Sequence, residues 1–519
     1  MPEYLLRLEA VNFAATCYDT NDLSTIRGGS MMLSNAHSLI NKDELPACLR
    51  TDPVSSGASH AIWQFEATDD EAAEQVKLGT LQAFATDKHK QLLKHATFVC
   101  AVTPKSAKSD NPDDIQRLRL SNRWSQFQKP TVTAPSLPKD NARDRRKPYC
   151  ELDRIRPSTT MISKGVNAKP LSVSESTRDK WDYGRTQKQR FYNDLASQPV
   201  VVVNELQELA NHPEPHHRLT GKMCVIYIDG NKQSEMAAQY GLSELASFRT
   251  YVRNQHIQFL KKLLEEILKS KPLDGADNPS NEWFYWDATE SDQTRRSQIR
   301  IETLLWGGDD IVLVVPAWQG MLVIKKFFEQ ASRWNFQNQK FTHSVGMVFC
   351  NVKAPIHNMR RFADQLVIQC KKHSSGLADA DNYLDLVGYE VLESFDILDA
   401  DLDRSWAARI CQPPPLGEQS DSEKDSRLAK ELLATPDQLQ QLVAMIQAVK
   451  IEVSDPRSTI SRRQIEMRAR QMQSRLDTDS NFDSEIKDYF KGIPSFTQLS
   501  ALSVRARLFH LVALWDYVE

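Results

Sequence analysis

The chain has 519 residues, 40% of them hydrophobic and 26% charged, with a formal net charge of −3. This length predicts roughly two to four domains. The composition is that of a globular chain, and the charge excludes a global basic field for nucleic acid while leaving room for a local basic groove. No stretch approaches the roughly 18 apolar residues that span a bilayer. Met1-Pro-Glu-Tyr-Leu-Leu-Arg7 places an acid before any apolar run, unlike a secretory signal. The expectation is a cytoplasmic protein without membrane contact. The eight cysteines, Cys17, Cys48, Cys100, Cys150, Cys224, Cys350, Cys370 and Cys411, form no Cys-x-x-Cys pair, so no disulfide framework is expected.

In chain order, Tyr4–Phe13 reads as a strand and Ser24–Ile40 as a helix with Ser24 as its cap. His60–Phe65 alternates like a half-buried strand, Glu71–Ala85 is helical, and Ala96–Val102 is a short apolar strand. Residues 1–103 therefore predict an α+β domain. Residues 104–199 turn polar and rich in Pro, Ser, Asp, Lys and Arg, which predicts a linker or a poorly packed insertion. The run Lys139–Lys147 reads either as a solvated loop or as a contact to nucleic acid.

Residues 200–395 carry the clearest pattern. Met223–Asp229 is a buried strand ending on an acid, followed by a helix with Ile257, Leu260, Leu264 and Ile267 on one face. Ile299–Leu305 and Ile311–Val315 read as strands flanking the turn Gly307-Gly308-Asp309-Asp310. A helix with Met321, Ile324, Phe328 and Ala331 follows, then the strand Ser344–Phe349 and a helix from Ile356 to Lys372. The order β-α-β-β-α-β is the ferredoxin-like motif. Residues 396–519 read as a helical domain, from the windows Leu428–Val449, Thr459–Leu476 and Ala501–Tyr517.

The ferredoxin-like order puts its first and third strands side by side, and so predicts Asp229 beside Asp309 and Asp310. Three carboxylates there suit two Mg²⁺ (or Mn²⁺) ions, which take oxygen ligands and clamp the attacking and leaving oxygens of phosphoryl transfer. Gly307 and Gly308 permit positive φ and let phosphate approach the backbone. Gly230 and Asn231 open a loop whose N–H groups could cradle a triphosphate. Gly-Gly-Asp-Asp by itself is a common hairpin turn, and Asp229 by itself a helix cap. The surrounding motif selects the metal reading. Lys371 and Lys372, ending their helix, either pair with its dipole or contact the triphosphate.

This segment resembles the second palm domain of the large signature subunit of type III CRISPR effector complexes, with its motif standing as Trp306-Gly-Gly-Asp-Asp-Ile311. Val345-Gly-Met-Val with Pro355, Ala363 and Lys371 is similar to that family's strand and lysine-ended helix. Asp19–Leu33 is similar to its first, non-catalytic palm, and the C-terminal helices to its terminal domain. The resemblance implies two ferredoxin-like palms, the second catalytic, plus a helical C-terminal domain. It also implies condensation of NTPs, ATP foremost, into cyclic oligonucleotide messengers of antiviral defence. Arg27, Gly29 and Ser30 are then candidates for a second nucleotide, with close helix packing as the alternative. Guide or target RNA and CRISPR complex subunits are the implied partners, or a homo-oligomer if the protein acts alone. The family's N-terminal nuclease has a His-Asp pair, and this sequence has none, so no such nuclease activity is expected. Its linker zinc site is matched only by Cys150-Glu-Leu-Asp153, and His212, His216 and His217 fit no zinc spacing, so no zinc is expected. Two further readings stay open. One is a complex scaffold with a little-used palm. The other is a GGDEF-type diguanylate cyclase, against which stand Ile311 in place of an aromatic and the lack of an Arg-x-x-Asp site upstream.

Overall fold

The computed structural model describes residues 1–57, 59–108, 110–128, 149–164, 169–214, 216–271, 281–286, 297–377, 383–393, 431–456, 458, 460–474, 480–499 and 502–518. β1 (Glu3–Val11) is buried along most of its length, with Leu5, Leu6 and Leu8 almost inaccessible, as befits a central strand. α1 (Leu23–Ser34) is capped by Asp22 rather than the expected Ser24, its carboxylate accepting from the Thr25 N–H. It stops at Ser34, and Ala36–Leu39 forms a separate short helix. β2 (Ser55–Gly57), β3 (His60–Glu66), α2 (Asp70–Thr86) and β4 (Thr97–Pro104) complete an antiparallel sheet in the order β2-β3-β1-β4.

Residues 104–199, where described, correct the expectation of a loose linker. α3 (Pro112–Gln128) packs on β1 and β4 and buries Asp114, Ile115, Leu118 and Asn122. α4 (Glu175–Leu195) lies along α1 at a distance only glycine permits. A Cβ on Gly28 would come 1.8 Å from the Lys180 carbonyl oxygen, and one on Gly184 2.0 Å from that of Ser24. The Lys180 ammonium, 1% exposed, donates to the Thr16 carbonyl at 2.9 Å and to Asp19 Oδ2 at 2.6 Å. Small and polar residues make this seam, so hydropathy does not register it. The Lys139–Lys147 run lies outside the described residues.

β5 (Lys222–Gly230), α5 (Leu242–Lys269), β6 (Glu302–Gly307), β7 (Asp310–Pro316), α6 (Gly320–Ala331), β8 (His343–Asn351) and α7 (Ile356–Leu377) follow the expected alternation. β9 (Leu386–Val391), not read from the sequence, pairs parallel to β8 and extends the sheet to β6-β7-β5-β8-β9. In this order β7, which begins at Asp310, neighbours β5, which ends on Asp229-Gly230.

Beyond the sheet stand α8 (Pro436–Ser454), opened by a Thr435–Gln438 capping box, α9 (Arg462–Ser474), α10 (Ser480–Tyr489) and α11 (Val504–Leu514). The buried Tyr389 hydroxyl of β9 meets His510 Nδ1 of α11 at 2.5 Å. Arg462 grips Asp516 with two donors at 2.7 and 2.6 Å. None of the described helices is long and apolar enough to cross a membrane.

The chain forms two compact units. One holds residues 1–200, 232–264 and 303–311, and the other 201–231, 265–302 and 312–519.

Candidate active site

In the first unit, the tip of the β6–β7 hairpin is Gly307-Gly308-Asp309-Asp310. Gly308 takes φ +61°, the left-handed turn conformation that penalises a Cβ. Asp309 and Asp310 are half-buried at this tip.

Four side chains underpin the hairpin. The Ser34 hydroxyl donates to the Trp306 carbonyl at 2.8 Å, and the Tyr192 hydroxyl bonds Thr303 Oγ1 at 2.7 Å. Phe191 meets the Trp306 ring edge-on at 5.5 Å between centroids. His256 is buried beneath the turn. Burial pushes its imidazole down to about 4, against a hydrogen bond with the Gly308 backbone that works the other way. The ring is therefore neutral at pH 7 and ties the turn to α5. None of the four was singled out from the sequence. For His256 a signal existed: a lone imidazole midway between Val252 and Leu260 on an otherwise apolar helix stripe.

The hairpin tip lines a cavity of about 1470 Å³ within this unit. That exceeds the roughly 300–1,000 Å³ of a pocket for one drug-sized ligand. Its walls carry Arg7, Lys90, Arg119, Arg123, Arg190, Arg249, Arg253 and Lys261 against the acids Glu9, Asp194, Asp309 and Asp310. Two bases for each acid favour an anionic ligand. The end of α1 with its following turn (Met31, Ser34, Asn35, His37, Ser38) and the β2–β3 turn also face it.

Arg27, Gly29 and Ser30 lie instead within the packed body of α1. Arg27, 2% exposed, donates to the Gly184 carbonyl at 3.1 Å. A Cβ on Gly29 would come 3.0 Å from Cys17 Cα, and Ser30 is buried. These contacts are the helix packing weighed against a nucleotide role, and the cavity takes the residues just beyond.

In the second unit, Asp229 Oδ2 accepts from Lys371 Nζ at 2.6 Å, their side chains 17% and 35% exposed. α7 runs on to Leu377, so Lys371 and Lys372 stand before its last turn, out of range of the dipole pairing considered for them. Gly230 is the last residue of β5. The Asn231 side chain is taken up locally. It donates to Thr342 Oγ1 at 3.1 Å and the Leu384 carbonyl at 3.2 Å, and accepts from Ser344 Oγ at 2.8 Å.

His212, Glu214 and His217 also converge, with potential ligand atoms within 4.8 Å of one another. The two imidazoles, however, stack with centroids 3.6 Å apart and planes 13° from parallel. A metal about 2 Å from each nitrogen must lie near both ring planes, which parallel stacked rings do not share. Their Nδ1 atoms accept backbone N–H bonds from Glu214 and Leu219.

The β-α-β-β-α-β order with paired carboxylates on the β6–β7 hairpin is the arrangement expected of a palm domain. Residues 223–378 match the family model of the Cas10/Cmr2 second palm domain, and the chain carries a palm of that Cas10 kind. Among solved structures, the chain is similar to Csm1 in T. onnurineus, at 14% identity, covering 100% of this chain and 70% of that one with a TM-score of 0.43. It is also similar to an apo Csm1–Csm4 cassette, at 11% identity, 98% and 70% coverage and a TM-score of 0.43. A Csm1–Csm4 cassette in complex with cA3 matches at 12% identity, 100% and 70% coverage and a TM-score of 0.46. No curated protein matches.

Proposed function

We propose that the chain is a metal-dependent nucleotidyltransferase that condenses NTPs, ATP foremost, into cyclic oligonucleotide messengers of antiviral defence. In this reading the β2-β3-β1-β4 sheet is the first, non-catalytic palm. The protein's partners in this reading are type III CRISPR complex subunits and guide or target RNA. The observation that carries the reading is the acidic hairpin tip in a cation-rich cavity large enough for more than one nucleotide, on a palm of the Cas10/Cmr2 family.

The donor set fits Mg²⁺ or Mn²⁺. Asp309 and Asp310 are hard oxygen donors on successive residues of one turn; such ions take one or two carboxylates and fill their remaining positions with water and phosphate. Two bound ions would supply charge neutralisation of the phosphates and a more acidic acceptor 3′-hydroxyl. The chain's own residues do the rest. Arg249, Arg253 and Lys261 of α5 attract and orient the polyphosphate. Gly308 lets it approach the turn. Ser34 and His256 hold the carboxylates still, so that their charge is preorganised rather than reorganised during transfer. In the other unit, Lys371 holds Asp229 in an ion pair.

Purified protein is incubated with the four NTPs and Mg²⁺ or Mn²⁺, with and without candidate RNA, beside Asp309→Ala. Pyrophosphate release confined to the wild type, with cyclic products by mass spectrometry, supports the reading. Equal release by the variant, or none from the wild type under every condition, rejects it.

A further inference from the structure

Opposite in sign to the hairpin tip, one wall of the same cavity gathers like charge from three distant parts of the chain. Arg7 comes from the centre of β1, Arg119 from α3 and Arg249 from α5. Arg7 is 8% exposed. Its Nε and Nη2 donate to Glu9 Oε2 at 3.1 and 3.0 Å, while its buried Nη1 has no hydrogen-bond partner among the described residues. Glu9 also accepts from Asn122 at 2.8 Å. Arg249 donates to Ser55 Oγ at 2.9 Å, and Arg119 to the Ala237 carbonyl at 3.4 Å. His60 adds a buried Nε2 that likewise lacks a partner.

The cluster is under-neutralised. Three guanidiniums face the paired carboxylate of Glu9 and, acting on Arg249 more weakly, that of Asp309, so 3 − 2 leaves one positive charge in excess. Burial, then Arg7 and Arg119, push the Arg249 guanidinium down to about 9, so it stays charged at neutral pH. Burial and the same arginines push His60 well down, leaving it neutral. Holding like charges together out of water is costly unless a counter-charge joins them. A buried arginine fork with an unpaired donor matches the oxygens of a carboxylate or a phosphate, and the nucleotide reading supplies phosphate.

We propose that Arg7, Arg119 and Arg249, with Ser55 and His60, form a metal-independent subsite for a di- or triphosphate group on the wall of the cavity. The subsite rests on the nucleotide reading for the source of that group, but its donors are the arginines, Ser55 and His60 rather than the carboxylates Asp309 and Asp310. The phosphate would take the open Nη1 of Arg7 and the Nε2 of His60, and bring negative charge to a cluster in which cations outnumber acids.

The test is calorimetric titration of the full chain with inorganic pyrophosphate and tripolyphosphate in EDTA. Wild type should bind, and Arg249→Gln and Arg119→Gln should each weaken binding roughly ten- to hundredfold, the scale of a charge-assisted hydrogen bond. Arg249→Lys should recover part of that loss, and Asp309→Ala should bind at least as well as wild type. Arg7→Gln is read only if its circular dichroism matches wild type, since Arg7 is buried in β1. Competition by ATP would identify a nucleotide's own phosphates as the occupant. Unaltered pyrophosphate binding under saturating ATP would identify the released product, and either result supports the subsite. No metal-free binding by wild type, or wild-type affinity in both Arg249→Gln and Arg119→Gln, overturns it. Anion binding without any NTP condensation would reject the proposed reaction and leave the subsite standing.

Discussion

Two hairpins face one cavity from sheets with the same strand order. In β2-β3-β1-β4 the turn runs from Gly57 to His60, and in β6-β7-β5-β8 it is Gly307 to Asp310. The strand beside each turn ends differently as well, at Val11 in β1 and at Asp229-Gly230 in β5. One turn carries histidine and sits beside arginines, and the other carries two carboxylates. The fold supplies a pair of similar turns, and a few side chains decide which gathers cations and which gathers anions.

The comparison breaks most sharply if the acidic tip is dispensable. Asp309→Ala should lower the rate of pyrophosphate release on the order of a thousandfold, the scale of losing a preorganised electrostatic group. Comparable rates in stopped-flow assays would contradict that. Next comes the seam behind the first sheet. Gly28→Ala forces a methyl group against the Lys180 carbonyl and should destabilise the chain by about 1–3 kcal/mol, read as a lower denaturation midpoint.

His256→Gln should slow turnover roughly tenfold without changing KM, because it loosens the turn rather than the wall; an effect on KM alone would place His256 in binding. The same residue sharpens the pH dependence. Burial pushes His212, His256 and His510 down from 6.5 to about 4. The unfolded chain therefore takes up protons below about 6.5 that the folded chain refuses. Stability held above 6.5 should drain away as pH falls toward 4, and thermal midpoints of His256→Gln should fall less steeply there. The smallest effect belongs to the opposite turn. His60→Ala should change kcat only a few-fold, on the order of one neutral hydrogen bond, with most of the change in KM.

Legibility in the sequence followed the physics of each feature. β5 and the Gly-Gly-Asp-Asp turn were readable because a fully apolar strand ending on an acid, and paired glycines before paired acids, are local patterns. α5, α6 and α7 announced themselves through apolar spacing. The α1–α4 seam was not readable, because Gly28, Gly184 and Lys180 pack by smallness and by buried ion pairing, which leave no hydropathy trace. Residues 104–199 looked like a linker for the same reason. The arginine wall was hidden differently: positions 7, 119 and 249 are unremarkable one by one, and only the fold collects them. The supports of the hairpin, Ser34, Phe191 and Tyr192, come from helices distant in sequence, so no spacing rule reaches them.

The most direct test of the central claim, that the acidic tip holds the metal ions for nucleotide transfer, is an electron paramagnetic resonance titration with Mn²⁺ in the presence of a non-hydrolysable ATP analogue. Nucleotide-dependent Mn²⁺ binding is expected in the wild type and in His60→Ala, and its loss in Asp309→Ala and Asp310→Ala. The same tight Mn²⁺ binding in the two aspartate variants as in the wild type would contradict it.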